Sequence, residues 1–131
     1  MSANGIITVR PDEPVDTLQR LPAYVGISDS TAGSTGIGMN LVIIPPGATA
    51  DAHFHDGFET AIYLLSGRVE TRYGDGLRNV CVNEAGDFLF IPAGVPHQPR
   101  NLSTTEPARA LVARNTANEQ ESVVPYPVAQ S

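Results

Sequence analysis

Glycine and proline punctuate this chain so regularly that long helices have almost nowhere to form. Twelve Gly and 11 Pro are spread along 131 residues and are not gathered into a linker. Proline removes a backbone donor and glycine carries an entropic cost in regular elements, so each interrupts a helix. Between them lie short apolar runs, separated by turn signals at intervals of roughly 8–12 residues, the rhythm of an all-β sandwich or barrel. The expected strands cover residues 6–9, 24–27, 37–44, 50–55, 61–65, 68–73, 79–82, 87–91, 97–101 and 108–113. The turns between them fall at Pro45-Pro46-Gly47, Ser66-Gly67, Gly74-Asp75-Gly76, Glu84-Ala85-Gly86 and Pro92-Ala93-Gly94. Each supplies a positive or a fixed φ where the chain must reverse. Residues 15–20 alone read as a helical turn. After Arg114 the chain is polar, then ends in an apolar, Pro-interrupted stretch around Val123-Val124-Pro125-Tyr126-Pro127-Val128. That stretch reads as an extended segment, spanning 115–131, packed along an edge or against a second subunit.

The length suits one domain, 1–131, and 41% hydrophobic residues suffice for a core. Eight Lys and Arg stand against 14 Asp and Glu, net −6. An acidic chain lacks the countercharge for nucleic acid or for an anionic membrane surface, so neither is the expected partner. Cys81 is the sole cysteine, which rules out an intramolecular disulfide and a cysteine-based zinc knuckle. Its mid-strand place reads as an inert core thiol. No apolar run approaches a membrane span, and Met1-Ser2-Ala3-Asn4-Gly5 is not the start of a basic-then-apolar signal, so the expected location is cytoplasmic.

The chain holds three histidines, His53, His55 and His97. Side chains at i and i+2 of a strand leave the same face, so His53 and His55 point into one cavity while Phe54 points away. Neutral imidazoles suit most first-row divalent ions. An H-x-H pair taken alone is equally a polar strand face. The pattern of turns around it, with Pro92-Ala93-Gly94-Val95-Pro96 aiming His97 back across the barrel, is what raises the pair above that reading.

With those residues in place the sequence resembles the cupin superfamily. Gly47, five residues, His53-Phe54-His55, three residues, Glu59 and a later Gly67 look like the first cupin motif. Gly86, five residues, Pro92-Ala93-Gly94, two residues, His97, three residues and Asn101 look like the second. The resemblance covers about 40–113. It implies a double-stranded β-helix, the cupin jelly-roll barrel, with one divalent transition metal per chain (Fe, Mn, Zn or Ni) and a homodimer. The family's ligand positions carry over to His53, His55 and His97. The fourth leaves two alternatives: counting forward from His55 selects Glu59, and counting back from Gly67 selects Thr60, with Glu59 on the opposite face. A bulge between Glu59 and Tyr63 would reconcile the two counts. A threonine hydroxyl is a poor ligand for a divalent ion, so chemistry favours Glu59, both as ligand and as a catalytic base.

Phe88 and Phe90 share one strand face, with Leu89 and Ile91 on the other. Whichever of these pairs faces in forms part of a substrate-pocket wall, with Met39, Leu41 and Ile43 opposite; Phe88, Phe90, Met39 and Leu41 are its expected walls. Asn101 is expected to tie a turn through its amide. The resemblance then implies a metal-dependent enzyme for a small oxygenated organic molecule, with a dioxygenase first. A Lewis-acid isomerase, lyase or cyclase comes second, and a non-catalytic binder of a small molecule or metal third.

Overall fold

The computed structural model describes residues 5–17, 20–118 and 123–127. Its strands are β1 (Val15–Asp16), β2 (Pro22–Ile27), β3 (Gly38–Ile44), β4 (His53–His55), β5 (Thr60–Ser66), β6 (Arg68–Tyr73), β7 (Asn79–Glu84), β8 (Phe88–Ile91), β9 (His97–Asn101), β10 (Ala108–Arg114) and β11 (Val123–Pro125). One short helix, α1 (Asp29–Ala32), and a 3-10 turn at Asp75–Leu77 are the helical pieces among the described residues. Two antiparallel sheets face each other as a jelly-roll sandwich. The six-stranded sheet runs β1-β2-β3-β10-β5-β8 and the five-stranded sheet β11-β4-β9-β6-β7. Among the described residues no helix is long and apolar enough to cross a membrane.

Alternation along each strand decides what lies between the sheets. Val42 and Ile44 of β3 pair with Ala110 and Ala108 of β10, and Leu64 of β5 pairs with Ala110 from the other side. These residues, with Leu21, Ala23, Val69 and Val112, form the buried core cluster. Small alanines on the central strand let larger neighbours close over it, as dense packing requires. At the β5–β6 hairpin Gly67 adopts φ +95°, and a Cβ there would sit 2.8 Å from the Cβ of Ala108. Both the backbone conformation and the contact therefore require glycine.

Three elements differ from expectation. Residues 6–9 form no strand and Ile6 is almost fully exposed. Where a helical turn was expected over 15–20, Val15 and Asp16 pair with Ala23 and Pro22 as a short strand; residues 18 and 19 lie outside the described residues. The helical turn stands at Asp29–Ala32 instead, where local hydrogen bonding favours it. Ser28 Oγ accepts from Thr31 N at 3.2 Å, Thr31 Oγ1 accepts from Ser28 N at 2.9 Å, and Gly33 closes the turn at φ +72°.

Candidate metal centre

β4 and β9 pair directly at His53 and His97, which sets one imidazole beside the other with ring centroids 4.3 Å apart. His55, two residues along β4 and hence on the same face, completes the group with centroids 5.1 Å from His53 and 5.5 Å from His97. All three are almost entirely buried, and one ligand atom from each lies within 4.8 Å of the others. His53 Nδ1 is 2.8 Å from the carbonyl of Asp51, and His97 Nδ1 is 3.0 Å from that of Val95. A carbonyl only accepts, so each Nδ1 carries the proton and each Nε2 keeps its lone pair. This second contact is what fixes the tautomer and aim of a ligating imidazole.

Burial holds both rings neutral. Desolvation is the main cause that lowers the His53 pKa to about 4, with the positive charge of Arg114 adding to it against the Asp51 carbonyl bond. For His97, desolvation, then the neighbouring His53, and also Arg114 lower it to about 3. Neutral nitrogen donors at pH 7 are the form a divalent ion takes. Three converging imidazoles, two of them with fixed tautomers, therefore fit such an ion.

The fourth expected ligand is corrected. Glu59 is exposed, and its backbone N–H donates to Asn115 Oδ1 at 2.8 Å on the outside of the six-stranded sheet. Thr60 is the inward residue, 1% exposed, and its hydroxyl accepts from Arg114 Nε at 2.9 Å. From Thr60 to Tyr63, β5 pairs with β8 in unbroken register, so no bulge turns Glu59 inward. The irregularity of β5 lies further on, where β10 steps from Ser66 to Leu64 across Arg109 and Ala110. Glu59 thus stands outside both the histidine group and any role as base within the barrel.

The pocket walls are corrected as well. Met39, Leu41, Phe88 and Phe90 lie on the outer face of the six-stranded sheet, and Phe88 is 81% exposed. Their strand neighbours Val42, Ile44 and Leu89 line the interior cavity instead, with Ile62, Leu64, Val69 and Val112, and its polar lining is His53, His97 and Arg114 together with Thr71, Asn83 and Asp87. Water-sized molecules can centre in about 70 Å³ of this cavity, space for several waters at roughly 10–15 Å³ each. Across His97 lies a wider recess of about 300 Å³, which shares Thr71 and Leu89 with the cavity and is also walled by Tyr73, Cys81 and Val95. Of the outward aromatics, Phe90 alone reaches the rim of that recess. Cys81 is half-buried there, and desolvation raises its thiol pKa, which keeps it a poor nucleophile.

Arg114 escaped the sequence reading. It is 7% exposed and projects inward at the end of β10. Its signal was present in the alternation of Ala108, Ala110 and Val112, which places the next inward residue at 114.

Residues 40–114 match the model of the cupin domain family. Among curated proteins, the chain is similar to the bifunctional lysine-specific demethylase and histidyl-hydroxylase NO66 of Branchiostoma floridae. The identity is 31% over 97 residues, covering 70% of this chain and 16% of that protein. It is also similar to protein SchB of Streptomyces halstedii, 29% identical over 80 residues, covering 61% and 56% respectively. Among solved structures, the oxalate decarboxylase of Lactobacillus farciminis matches with a TM-score of 0.72 at 19% identity over 86% of this chain and 33% of that one. The Bacillus subtilis oxalate decarboxylase matches at 0.72 and 22% identity, over 87% and 29%. The chain spans less than two thirds of the length of each of these relatives, and at these identities the structural likeness shows the fold.

Proposed function

The chain belongs to the cupin domain family, and on that premise we propose that it is a metal-dependent enzyme acting on a small oxygenated organic molecule, a non-haem dioxygenase in the first instance. The observation that carries the reading is the buried face of His53, His55 and His97 at the polar end of an apolar cavity. One divalent ion per chain is held there through three imidazole nitrogens. Such an ion, when bound, would supply Lewis-acid or redox chemistry to a substrate oxygen. The chain's own residues set the rest. Asp51 and Val95 carbonyls orient two of the rings, and Val42, Ile44, Ile62 and Leu89 exclude water from the bound substrate.

A second reading is favoured by the position of Glu59. With that carboxylate outside, and no Asp or Glu among the buried residues described, proton abstraction by a ligand carboxylate loses its agent. Polarisation of a carbonyl or hydroxyl by the ion alone then becomes the alternative, as an isomerase, lyase or cyclase. The B. subtilis oxalate decarboxylase is itself described with Mn(II) centres.

The test begins with elemental analysis of protein purified without a metal-affinity step, followed by anaerobic loading with Fe(II) and exposure to flavonols, diketones and catechols. Bound metal near one per chain with substrate-dependent oxygen uptake is the expected result. Turnover of the same panel without oxygen uptake by the Mn, Zn or Ni form would replace the dioxygenase with the second reading. Failure to retain any divalent ion after reconstitution would overturn metal dependence and leave a small-molecule binder.

We also propose that the protein is a homodimer, joined through the outer face of the six-stranded sheet. Strands β3, β10 and β5 and the edge strand β8 present Met39, Leu41, Leu111, Tyr63, Phe88 and Phe90 outward, with Arg109 among them and Glu59 in the groove beside Met39 and Phe90. In a chain of net charge −6, a largely apolar face on which Arg109 and Glu59 balance is one that two copies approach with little repulsion.

A further inference from the structure

β4 carries two of the three histidines, and it is only three residues long. Its ladder with β9 joins His53 to His97. From that side the carbonyl of His55 is also held by the turn before β9, accepting from Gly94 N at 3.0 Å. On the other side β11 pairs with every residue of β4: Val123 with His55, Val124 with Phe54 and Pro125 with His53. Without β11, β4 would be the edge of the five-stranded sheet, and an edge leaves its backbone groups to solvent. Residues directly opposite in a ladder share a face, so Val123 and Pro125 flank the two histidines on the side that β9 does not cover.

The next residue anchors β11 twice. Tyr126 N donates to the carbonyl of Ala52 at 3.0 Å. By the alternation of an antiparallel ladder, Pro125 then stands opposite His53 at a position that needs no donor, which is where an edge strand tolerates proline. The Tyr126 hydroxyl accepts from Gly76 N at 2.9 Å, in the turn after β6. Pro125, His53, His97 and Tyr73 are successive partners across β11, β4, β9 and β6. One phenol thus ties together the two ends of a row whose middle members are histidines of the metal centre.

We propose that β11 is part of the metal centre, with Tyr126 as its positioning residue, and that docking of β11 on β4 and binding of a divalent ion at the histidines strengthen each other. This rests on the reading of His53, His55 and His97 as a metal site. Coupling of this kind is reciprocal: the factor by which docked β11 tightens the ion is the factor by which the ion tightens β11.

Zinc titration of the full chain, with hydrogen exchange of the wild type, tests both directions. Val124→Pro removes a ladder donor and is expected to weaken zinc binding at least tenfold, and Tyr126→Phe, which lacks the hydroxyl acceptor, at least threefold. In the wild type, zinc should slow exchange of the Val124 and Tyr126 amides at least tenfold more than that of amides in β7, the far edge of the same sheet. A role for β11 in overall stability alone would slow both edges alike, and that result would overturn the proposal. Wild-type zinc affinity in Val124→Pro would overturn it too. If Val124→Pro fails to fold, Tyr126→Phe and the wild-type exchange comparison decide. A wild-type protein that binds no zinc would instead overturn the metal reading, and the coupling with it.

Discussion

Each Nδ1 of His53 and His97 is committed to a carbonyl two residues upstream, so the metal-facing nitrogen of both rings is chosen by local backbone geometry and not by the ion. His53→Ala or His97→Ala should therefore remove most bound metal with the β circular-dichroism signal retained. Glu59→Gln should leave stoichiometry unchanged, since that side chain stands outside the barrel. Metal loss in Glu59→Gln, measured by elemental analysis, would contradict the register of β5. The same burial gives the metal-free protein a pH dependence. His53 and His97 have folded pKa values of about 4 and about 3, below the ordinary 6.5, so the unfolded chain binds protons that the folded one refuses. Their neutral forms impose no penalty above about pH 6.5, and stability falls as pH drops from there toward 4 and 3. The urea midpoint of metal-free protein should decrease between pH 7 and pH 5. An unchanged midpoint would mean the imidazoles are not desolvated as described.

At the scale of elements, the turns do as much as the strands to place the site. Asn101, last residue of β9, donates through Nδ2 to the carbonyls of Ile44 at 3.0 Å, Pro45 at 3.3 Å and Glu106 at 2.8 Å, while Oδ1 accepts from Ser103 N at 2.9 Å. One amide thus clamps the end of β3 to the loop that leads into β10, as the turn-tying role expected of it requires. Asn101→Ala leaves buried carbonyls unsatisfied and should cost roughly 1–3 kcal/mol, read as a lowered thermal midpoint. A midpoint equal to wild type would show that water replaces the amide. The strand positions around these turns were legible because charged and less polar residues alternate along β6 and turn residues bound each run. In β8, Phe88-Leu89-Phe90-Ile91 is apolar on both faces. In β3 the one polar residue of the run 39–44, Asn40, is the buried one. Periodicity gives the spacing of faces but not which face is inside, and for these two strands the pocket walls were expected on the wrong side.

Across the whole molecule, the two faces of the six-stranded sheet divide the labour. The inner face packs the core and carries Thr60 and Arg114, and the outer face leaves Met39, Phe88 and Phe90 substantially exposed. The Tyr63 and Phe88 rings lie side by side there with centroids 4.8 Å apart. Sedimentation equilibrium should find a dimer at micromolar concentration, and Phe88→Glu with Phe90→Glu should return a monomer with an unaltered circular-dichroism spectrum. A monomeric wild-type protein would overturn that interface.

The sequence by itself determined that this chain is an all-β sandwich or barrel with His53 and His55 on one face. Turn residues and strand alternation are local properties, and the spacing of an H-x-H pair fixes a shared face wherever the strand lies. The jelly roll and the third histidine came with the resemblance to cupins. Tertiary structure alone decided the remainder. Whether Glu59 or Thr60 points inward depends on the register of β5 against β8 and β10, and a one-residue difference there exchanges the two. That register is set by packing between sheets, which the residues of a single strand do not encode. The same pairing brought Arg114, far along the chain from the H-x-H motif, to the wall of the histidine cavity, where its Nε–H is held by Thr60.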